Sequence, residues 1–340
     1  MKVLVIGACG FLGSHVCEHF TKLGWKVVGM DNMTTYELDK TGMDSYKIRE
    51  YMANAVMNMG VDLQVEDVTS LSSVTRLAGG CDYIINCAAQ PAMTLAWKDP
   101  VNDFKVNALG TLNSLEAART YQIPIALCST IHVYGPALNL DLVKNDTRYN
   151  RPEGGISEAH EDMKGDITPL HASKKTLEIY GRAYIDTYNM QVGIFRLSGM
   201  YGPRQFGGTD HGWVANFAIK AVKNRKITVF GDGRQTRDIL YATDAARLFE
   251  YFYDRGVPGL YTIGGGKACT MSLTECIDIL GTLVGHRIHV IYEEARFGDL
   301  QWFVSSNEKV LMELGWKPEV LPGEGLCNMV EWVESVKEMV

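Results

Sequence analysis

The stretch Gly7-Ala-Cys-Gly-Phe-Leu-Gly13 constrains the fold more than any other part of this sequence. It follows the apolar segment Lys2 to Ile6, which has the composition of a buried strand, and it opens the segment Phe11 to Leu23, whose apolar residues recur at helical spacing. Glycine permits a tight turn and lets main-chain N–H groups approach a pyrophosphate, while the following helix N-terminus attracts negative charge. We therefore predict that a strand, a turn and a helix bind a dinucleotide through Gly7, Gly10, Phe11, Leu12 and Gly13.

An acidic residue stands where such a fold contacts the adenosine ribose. Asp31 follows the second predicted strand, Trp25 to Met30, and lies eighteen residues after Gly13. A carboxylate at this place accepts hydrogen bonds from both ribose hydroxyls and repels a 2′-phosphate. Because no arginine follows at once to offset this repulsion, the sequence predicts NAD rather than NADP as the cofactor.

Strand and helix patterns alternate through the first half of the chain, which is typical of a parallel sheet covered by helices. Further strands are predicted at 61–66, from Tyr83, at 124–130 and at 191–197, and helices at 100–121 and 171–188. After Gly199 the alternation ends, and helices are predicted at 212–223, at 272–284 and near Val330.

The predicted fold class is therefore α/β, with a doubly wound parallel sheet of the Rossmann type and a smaller α/β substrate-binding lobe at the C-terminal side. We assign residues 1–198 and 236–266 to the NAD-binding domain, and residues 199–235 and 267–340 to the lobe.

Composition disfavours several classes of function. The 340 residues carry a net charge of −7 with Lys and Arg spread along the chain, so we predict no nucleic-acid partner and no membrane partner. Eight cysteines without a C-x-x-C spacing favour reduced thiols and a cytoplasmic location. His15 and His19 stand four residues apart but have no third ligand nearby in the sequence, so no metal site is predicted.

Several motifs in one order resemble those of the extended short-chain dehydrogenase/reductases. Besides the glycine turn they are Asp67-Val68, NCAAQ at 86–90, CSTIHVYG at 128–135, RLSGMYGPRQ at 196–205 and GRQTRDILYATDAA at 233–246. The resemblance runs nearly end to end and implies further cofactor contacts at Asn32, Asp67, Val68, Ala88 and Ala89. It also implies that Asn107 supports the helix of the active site.

Within this family the chain is most similar to the nucleotide-sugar branch, and there to the CDP-paratose 2-epimerases. The similarity lies in residues 90–104, in the insertion 136–166 and in residues 200–217. It implies an NAD-dependent epimerase that oxidises a ring carbon of a nucleotide-diphosphate sugar and reduces it again from the opposite face. Another nucleotide-sugar 4-epimerase, a dehydratase, a dehydrogenase and a non-catalytic binding protein stay open as alternatives.

The family places a tyrosine and a lysine four residues apart on one helix. Lys174 fits this pattern, but the tyrosine position is Leu170, which cannot exchange a proton. Thr130 keeps the donor role of the family's serine/threonine motif. His132 lies two residues after Thr130 and shares its face of the strand end, so we predict that His132, in preference to His171, takes over the proton transfer.

The dehydratases of this family carry Asp and Glu directly after the threonine, and Ile131 and His132 stand there in this chain. This difference disfavours elimination.

Substrate contacts are expected mainly from the second half of the chain. The resemblance implies that Arg237 and Arg296 bind the diphosphate, for which the planar guanidinium is well suited. The further candidates for the substrate site are Gln90, Tyr201, Arg204 and Asn216. The helices beginning near Pro100 and His171 form a four-helix bundle between two subunits in this family, which implies a homodimer.

Overall fold

A sheet of seven parallel strands forms the centre of the computed structural model, which describes residues 1–139, 141–297 and 299–340. The strands are β1 (Lys2–Ile6), β2 (Lys26–Asp31), β3 (Asp62–Val65), β4 (Tyr83–Asn86), β5 (Ile125–Thr130), β6 (Val143–Lys144), β7 (Tyr149–Asn150), β8 (Val192–Leu197), β9 (Met200–Tyr201), β10 (Ile227–Phe230), β11 (Thr236–Asp238), β12 (Leu240–Tyr241), β13 (Gly259–Ile263), β14 (Thr270–Ser272), β15 (Val290–Glu293) and β16 (Trp302–Phe303).

The helices cover both faces of this sheet and build much of the second lobe. They are α1 (Phe11–Lys22), α2 (Ser45–Asn58), α3 (Leu71–Ala78), α4 (Met93–Lys98), α5 (Pro100–Phe104), α6 (Gly110–Tyr121), α7 (Pro169–Tyr188), α8 (Trp213–Val222), α9 (Ala242–Arg255), α10 (Leu273–Val284), α11 (Glu308–Leu314) and α12 (Pro322–Ser335). Among the helices of the described residues, none is both long enough and apolar enough to span a membrane.

The strand order is β13-β8-β5-β4-β1-β2-β3, which confirms the predicted doubly wound sheet. Strands β2 and β3 lie on one side of β1, and the chain then crosses over so that β4 lies on the other side of β1. Ile6 of β1 therefore pairs with Met30 of β2 on one side and with Asn86 of β4 on the other. At such a reversal the connections leave in opposite directions and open a crevice at the carboxyl ends of the strands.

The predicted helix at 100–121 is interrupted in the structure. It consists of α5, a wide π-helical turn at Lys105–Leu109, and α6. The side chain of Asn107, in the middle of this turn, is buried and bonds to Asp103 and Ser173. Such wide turns often occur at functional sites. The local sequence carries helical periodicity on both sides and gives no signal for the interruption.

Several helices and strands of the structure were not predicted, among them α2, α9 and β13. In α2 the buried residues Ile48, Met52 and Val56 recur every four positions, which is a helical pattern, and Asp44 caps the first turn by accepting a hydrogen bond from the Lys47 N–H. Helix α9 packs against α1, and β13 extends the sheet beyond β8.

The second lobe contains short sheets and three helices that pack on one another. Strand β10 pairs with β15, and β11 lies between β14 and β16. Helix α8 contacts both α10 and α12. Strand β13 extends the central sheet, whereas β11, at the start of the predicted segment 236–266, pairs with β14 and β16 of the second lobe. The division of the chain into two domains stays a prediction.

A buried ion cluster joins the insertion 136–166 to the central sheet. Arg196 of β8 is fully buried and donates to Glu178 of α7 at 2.8 and 2.7 Å, and to Asp162 of the insertion at 2.5 Å. Its guanidinium carbon lies 4.5 Å from the centre of the Tyr134 ring. Glu178 also accepts a hydrogen bond from Ser129, the residue before Thr130. The cluster therefore holds the end of β5 in place.

Candidate active site

The turn after β1 forms a cradle for a dinucleotide where β1 and α1 meet the end of β4. Gly7 has a φ of +81°, and a Cβ built there would lie 2.7 Å from the nitrogen of Ala88. A Cβ on Gly13 would lie 2.0 Å from the carbonyl oxygen of Gly7. Helix α1 begins after Gly10, whose missing side chain leaves its first N–H groups uncapped. The glycine turn, with Phe11 and Leu12 in the first turn of the helix, therefore fits a pyrophosphate.

Asp31 ends β2 beside this cradle and is almost completely buried. Its Oδ2 accepts a hydrogen bond from the Cys9 N–H at 2.9 Å, and its Oδ1 accepts one from the Met33 N–H at 2.9 Å. These two bonds hold the carboxylate against the glycine turn. Asp31 therefore stands where the predicted contact with the ribose requires a carboxylate.

Asn32 and Asp67 join the ends of β2 and β3 at the outer side of the crevice. Asn32 donates to Asp67 Oδ2 at 2.8 Å, and Thr69 donates to Oδ1 through its N–H and its hydroxyl. Burial raises the pKa of Asp67, but these hydrogen bonds outweigh it and hold the pKa below its usual range. An ionised Asp67, next to the buried Val68, supplies acceptors at the adenine end that the resemblance implies.

Arg49 of α2 is a cation near this ribose position that the sequence did not reveal. Its Nη1 donates to the carbonyl of Cys9 at 3.3 Å and its Nε donates to the carbonyl of Thr34 at 2.6 Å. Nη2 lies 3.7 Å from a carboxylate oxygen of Glu37, which offsets its charge. Arg49 comes from an unpredicted helix, and only the folded chain brings it to the glycine turn.

Asn107 connects the loop after β4 to the first turns of α7. Its Nδ2 lies 2.9 Å from Asp103 Oδ1, 3.1 Å from the carbonyl oxygen of Gln90 and 3.1 Å from Ser173 Oγ. Its Oδ1 accepts a hydrogen bond from the N–H of Gln90 at 3.0 Å. Because Ser173 precedes Lys174, Asn107 supports the helix segment that carries the lysine.

Lys174 lies buried at the carboxyl end of β5, where its Nζ donates to the carbonyl of Cys128 at 2.8 Å. Burial lowers the pKa of the ammonium, while nearby groups that include Asp103 raise it. Ala88 and Ala89 follow the neighbouring strand β4, which pairs with β5. A dinucleotide that starts at the glycine turn and follows the crevice therefore brings its nicotinamide end toward Lys174.

Helix α7 begins with Pro169 after the N-cap Thr168, and this start fixes the positions of Leu170 and Lys174. The two residues are four apart and share one face of the helix. Leu170 is buried and lines a cavity of about 310 Å³ at the carboxyl ends of β5 and β8. The tyrosine position of the family thus faces this cavity with a side chain that cannot titrate.

Thr130 and His132 line the same cavity as Leu170. The hydroxyl oxygen of Thr130 accepts a hydrogen bond from the N–H of His132 at 3.3 Å, which starts a single turn of 3-10 helix at Ile131–Tyr134. The ring of His132 meets the ring of His171 edge to face, with 6.1 Å between the centroids. The structure therefore brings three of the four predicted catalytic residues, Thr130, His132 and Leu170, to one cavity.

The two histidines differ in what their ring nitrogens do. Nδ1 of His171 accepts a hydrogen bond from the N–H of Thr168 at 3.1 Å and lies 2.7 Å from its hydroxyl oxygen, so this ring caps α7. Nδ1 of His132 is buried and has no hydrogen-bond partner among the described residues. His132 is therefore the histidine that remains open to the cavity.

Burial, the charge of Arg237 and the neighbouring His171 lower the pKa of His132 to about 3. The imidazole is therefore neutral at physiological pH in the protein without substrate. Burial also lowers the pKa of His171.

Arg237, Arg296 and Asn216 line the cavity as well. Arg237 of β11 donates to Asp299 Oδ1 at 3.0 Å and to two main-chain carbonyls, and Arg296 donates to the carbonyl of Thr209 at 2.7 Å. The guanidinium carbon of Arg296 lies 3.9 Å from the centre of the Phe230 ring. Two cations therefore face one cavity, which suits an anion with two phosphate groups.

Three predicted substrate residues lie outside the lining of this cavity. The side-chain amide of Gln90 bonds to both main-chain groups of Ala92, and the residues that follow Gln90 in the loop, Pro91 and Met93, reach the cavity instead. Tyr201 is fully buried against Tyr241.

Arg204, the third, binds Ser14 Oγ at 3.0 Å and Glu18 at 2.6 Å. It thereby attaches the loop after β9 to α1.

Trp213 and Phe230 line the cavity although they were not predicted as site residues. Aromatic residues at a helix start and in a strand are more often part of a core.

The fold and this site define a dinucleotide-dependent enzyme with a neighbouring cavity that two arginines line. The family model of the NAD dependent epimerase/dehydratase family matches residues 3–264, and the chain belongs to this family. The predicted family and the predicted cofactor, NAD, are thereby confirmed.

Several known proteins are similar to this chain over its whole length. The CDP-paratose 2-epimerase of Salmonella typhi is 30% identical over 99% of this chain and 100% of its own length. A putative UDP-glucose 4-epimerase of Methanocaldococcus jannaschii is 29% identical over 98% of both chains. The structure of the UDP-glucose 4-epimerase of Thermus thermophilus in complex with NAD has 28% identity and a TM-score of 0.79, and covers 98% of this chain and 99% of that chain.

We expect replacement of Asp31 by Ala to reduce the preference for NAD over NADP. The loss of a charged acceptor for two ribose hydroxyls should weaken NAD binding by about 1.5–3 kcal/mol, or roughly 10- to 100-fold, while NADP no longer meets a repelling charge. Calorimetric titration of both dinucleotides measures the two affinities. Asp62→Ala, which changes an exposed carboxylate at the start of β3, is the matched control and should change neither affinity. Equal affinity for both dinucleotides in the unaltered protein would contradict the assignment of Asp31.

Proposed function

We propose that this protein is an epimerase of a nucleotide-diphosphate sugar that acts by transient oxidation of a ring carbon, in cytoplasmic carbohydrate synthesis. One observation carries the proposal: Thr130, Arg237 and Arg296 line a single cavity, and Leu170 in the same lining lies one helical turn before the buried Lys174. The arginines offer charge for a diphosphate, and Thr130 offers a hydroxyl to the oxygen of the reacting carbon.

Each of these side chains has a separate task in the reaction. When bound, NAD supplies the acceptor and later the donor of the hydride. Lys174 holds the ribose next to the nicotinamide, and Thr130 donates a hydrogen bond to the sugar oxygen as it gains negative charge. Arg237 and Arg296 hold the diphosphate, which lets the sugar turn over between the two hydride transfers while its nucleotide stays bound.

A CDP-sugar 2-epimerase is the particular reaction that we favour. The CDP-paratose 2-epimerase of Salmonella typhi supports it with 30% identity over 99% of this chain, compared with 29% over 98% for the putative UDP-glucose 4-epimerase. The residues after Thr130 also oppose a dehydratase, since Ile131 is buried and apolar where elimination needs a carboxylic acid.

Turnover of nucleotide sugars tests this proposal. We expect the protein with bound NAD to convert a CDP-sugar into its epimer, with a transient near-ultraviolet absorbance of the reduced cofactor. A deuterium at the epimerised carbon should stay in the product, because the same hydride returns, and a reaction in heavy water should add no deuterium there. Analysis of the product by NMR checks both. Binding of CDP-sugars and UDP-sugars without any conversion would leave only the non-catalytic binding protein.

Replacement of Arg237 or Arg296 by Ala should weaken nucleotide-sugar binding by about 2 kcal/mol or more, which is roughly 30-fold. Each change removes a charge-assisted hydrogen bond to the diphosphate, whereas NAD binding should persist. Arg234→Ala serves as the control, because Arg234 binds the carbonyls of Asn145 and Asp146 and does not line the cavity. Titration calorimetry measures all three variants. An unchanged affinity in both cavity variants would place the diphosphate elsewhere.

We further propose that two copies of the chain associate through α5, α6 and α7. Val101 and Phe104 of α5 and Ile179 of α7 are apolar and more than half exposed. Helix α7 contacts both α5 and α6, so these side chains belong to one continuous set of helices. An exposed apolar surface of this kind favours association, and an antiparallel partner of the same helices buries it as a four-helix bundle.

Ile179→Glu should convert the dimer into a monomer, because a carboxylate in this surface would be buried without a partner. Sedimentation velocity measures the change in mass. Leu311→Glu introduces the same change at an exposed leucine of α11 and should leave the dimer intact. A wild-type protein that is monomeric at micromolar concentration would contradict the proposed interface.

A further inference from the structure

The cavity has few side chains that could exchange a proton with a sugar hydroxyl. Leu170 cannot, and the hydroxyl of Thr130 serves as a hydrogen-bond donor. Four other side chains of its lining are imidazoles or carboxylates: His132, Asp210, His211 and Asp299. Asp210 and Asp299 lie next to Arg296 and Arg237, respectively, and therefore belong to the region that holds the diphosphate.

His132 is the titratable group that contacts both the threonine and the helix of Leu170. Its N–H bonds to the Thr130 hydroxyl, and its ring packs edge to face on His171, the residue that follows Leu170. Its Nδ1 is buried without a partner among the described residues, which leaves Nε2 as the ring nitrogen for a ligand in the cavity. His132 thus lines the same cavity as Leu170, the position of the missing phenol.

The ring of His171 is fixed and stays neutral. The Thr168 N–H can only donate, so Nδ1 of His171 accepts and the hydrogen of this ring is on Nε2. Because this bond holds the ring in place, it gives His132 a rigid surface to pack against. We assign His171 as a positioning residue, without contact to the substrate.

We propose that His132 exchanges the proton of the reacting sugar hydroxyl in place of a tyrosine, and that diphosphate binding at Arg237 makes His132 more basic. This inference rests on the proposed epimerase function. In the forward step the O–H bond breaks and its proton goes to Nε2 of His132, while the hydrogen on carbon leaves with its electron pair to oxidised NAD. In the return step the ketone oxygen regains this proton, and NAD is again in its oxidised form.

The coupling to the diphosphate follows from the charges around the ring. Burial and the positive charge of Arg237 favour the neutral form of His132, and His171 adds to this effect. Asp299 is a counter-ion of Arg237, with 3.0 Å between Oδ1 of Asp299 and Nη2 of Arg237. A bound diphosphate offsets the charge of Arg237, so protonation of His132 becomes easier and its pKa rises in the complex. The base therefore gains strength only when a substrate is present.

His132→Gln tests the proton transfer, because glutamine keeps a polar side chain of similar length but cannot act as a base. We expect kcat to fall by about 10²- to 10⁴-fold, with nucleotide-sugar affinity unchanged within about threefold. Adding Leu170→Tyr to this variant should raise its kcat at least tenfold. The same replacement in the unaltered protein should change kcat little. His286→Gln, at a half-buried position that does not line this cavity, is the control.

The titration of His132 gives a readout that does not depend on turnover or on the folding of a variant. In protein labelled with ¹⁵N histidine and loaded with NAD, addition of CDP should raise the pKa of His132 by at least one unit. In the unaltered enzyme, the acid limb of kcat should also lie at higher pH than the acid limb of kcat/KM, because these report the complex and the free enzyme.

The outcomes separate this inference from the proposed function. If His132→Gln keeps the kcat of the unaltered enzyme, or if CDP binds without moving the pKa of His132, the inference is overturned and the epimerase stands. If the unaltered protein binds nucleotide sugars and converts none, the epimerase is overturned and this role of His132 with it.

Discussion

The backbones of β1, α1 and β4 approach one another at Gly7 and Gly13 more closely than any side chain permits. A Cβ at either glycine would overlap main-chain atoms of Ala88 or Gly7. This contact sets the spacing of the strand ends at the point where the sheet order reverses. The crevice for NAD lies there, and the ends of β4 and β5 beside it carry Ala88 and Thr130. The positions of Lys174 and of the substrate cavity depend on the same arrangement.

Much of the fold was predictable because its signals are local. The apolar segment of β1 and the glycine turn gave the correct strand and the correct start of α1. Helix α2 was missed although Ile48, Met52 and Val56 repeat every four residues, so this was a pattern that the sequence contained. The π turn at Asn107 was not predictable, since its cause is a set of hydrogen bonds to residues such as Ser173 that are distant in sequence.

The residues of the candidate site likewise include some that the sequence predicts and some that it does not. Motif positions on strand ends, such as Thr130 and Asp31, lie where the sequence analysis expects them, because the sheet order fixes where strand ends meet. Tyr201 and Arg204 stand in a motif too, but one packs into the core and the other binds α1. Which face a short loop presents depends on packing between distant elements, and no local spacing records it. Arg49 was not predicted as a site residue because only the folded chain brings α2 to the glycine turn.

The replacement of the family tyrosine by Leu170 changes how the proton is handled while the rest of the site is kept. Lys174 retains its place through Cys128 and through the Asn107–Ser173 contact. A histidine next to Arg237 responds to the substrate's diphosphate, so basicity and binding become linked. In the proposed mechanism the diphosphate of the substrate therefore controls the strength of the base.

A crystal structure of the protein with NAD and a CDP-sugar tests this account most directly. The account predicts both phosphates on Arg237 and Arg296, and a sugar hydroxyl within hydrogen-bond distance of both Thr130 and Nε2 of His132, with Leu170 in van der Waals contact with the ring. A diphosphate held elsewhere, or a sugar whose reacting hydroxyl meets water in place of His132, would contradict it.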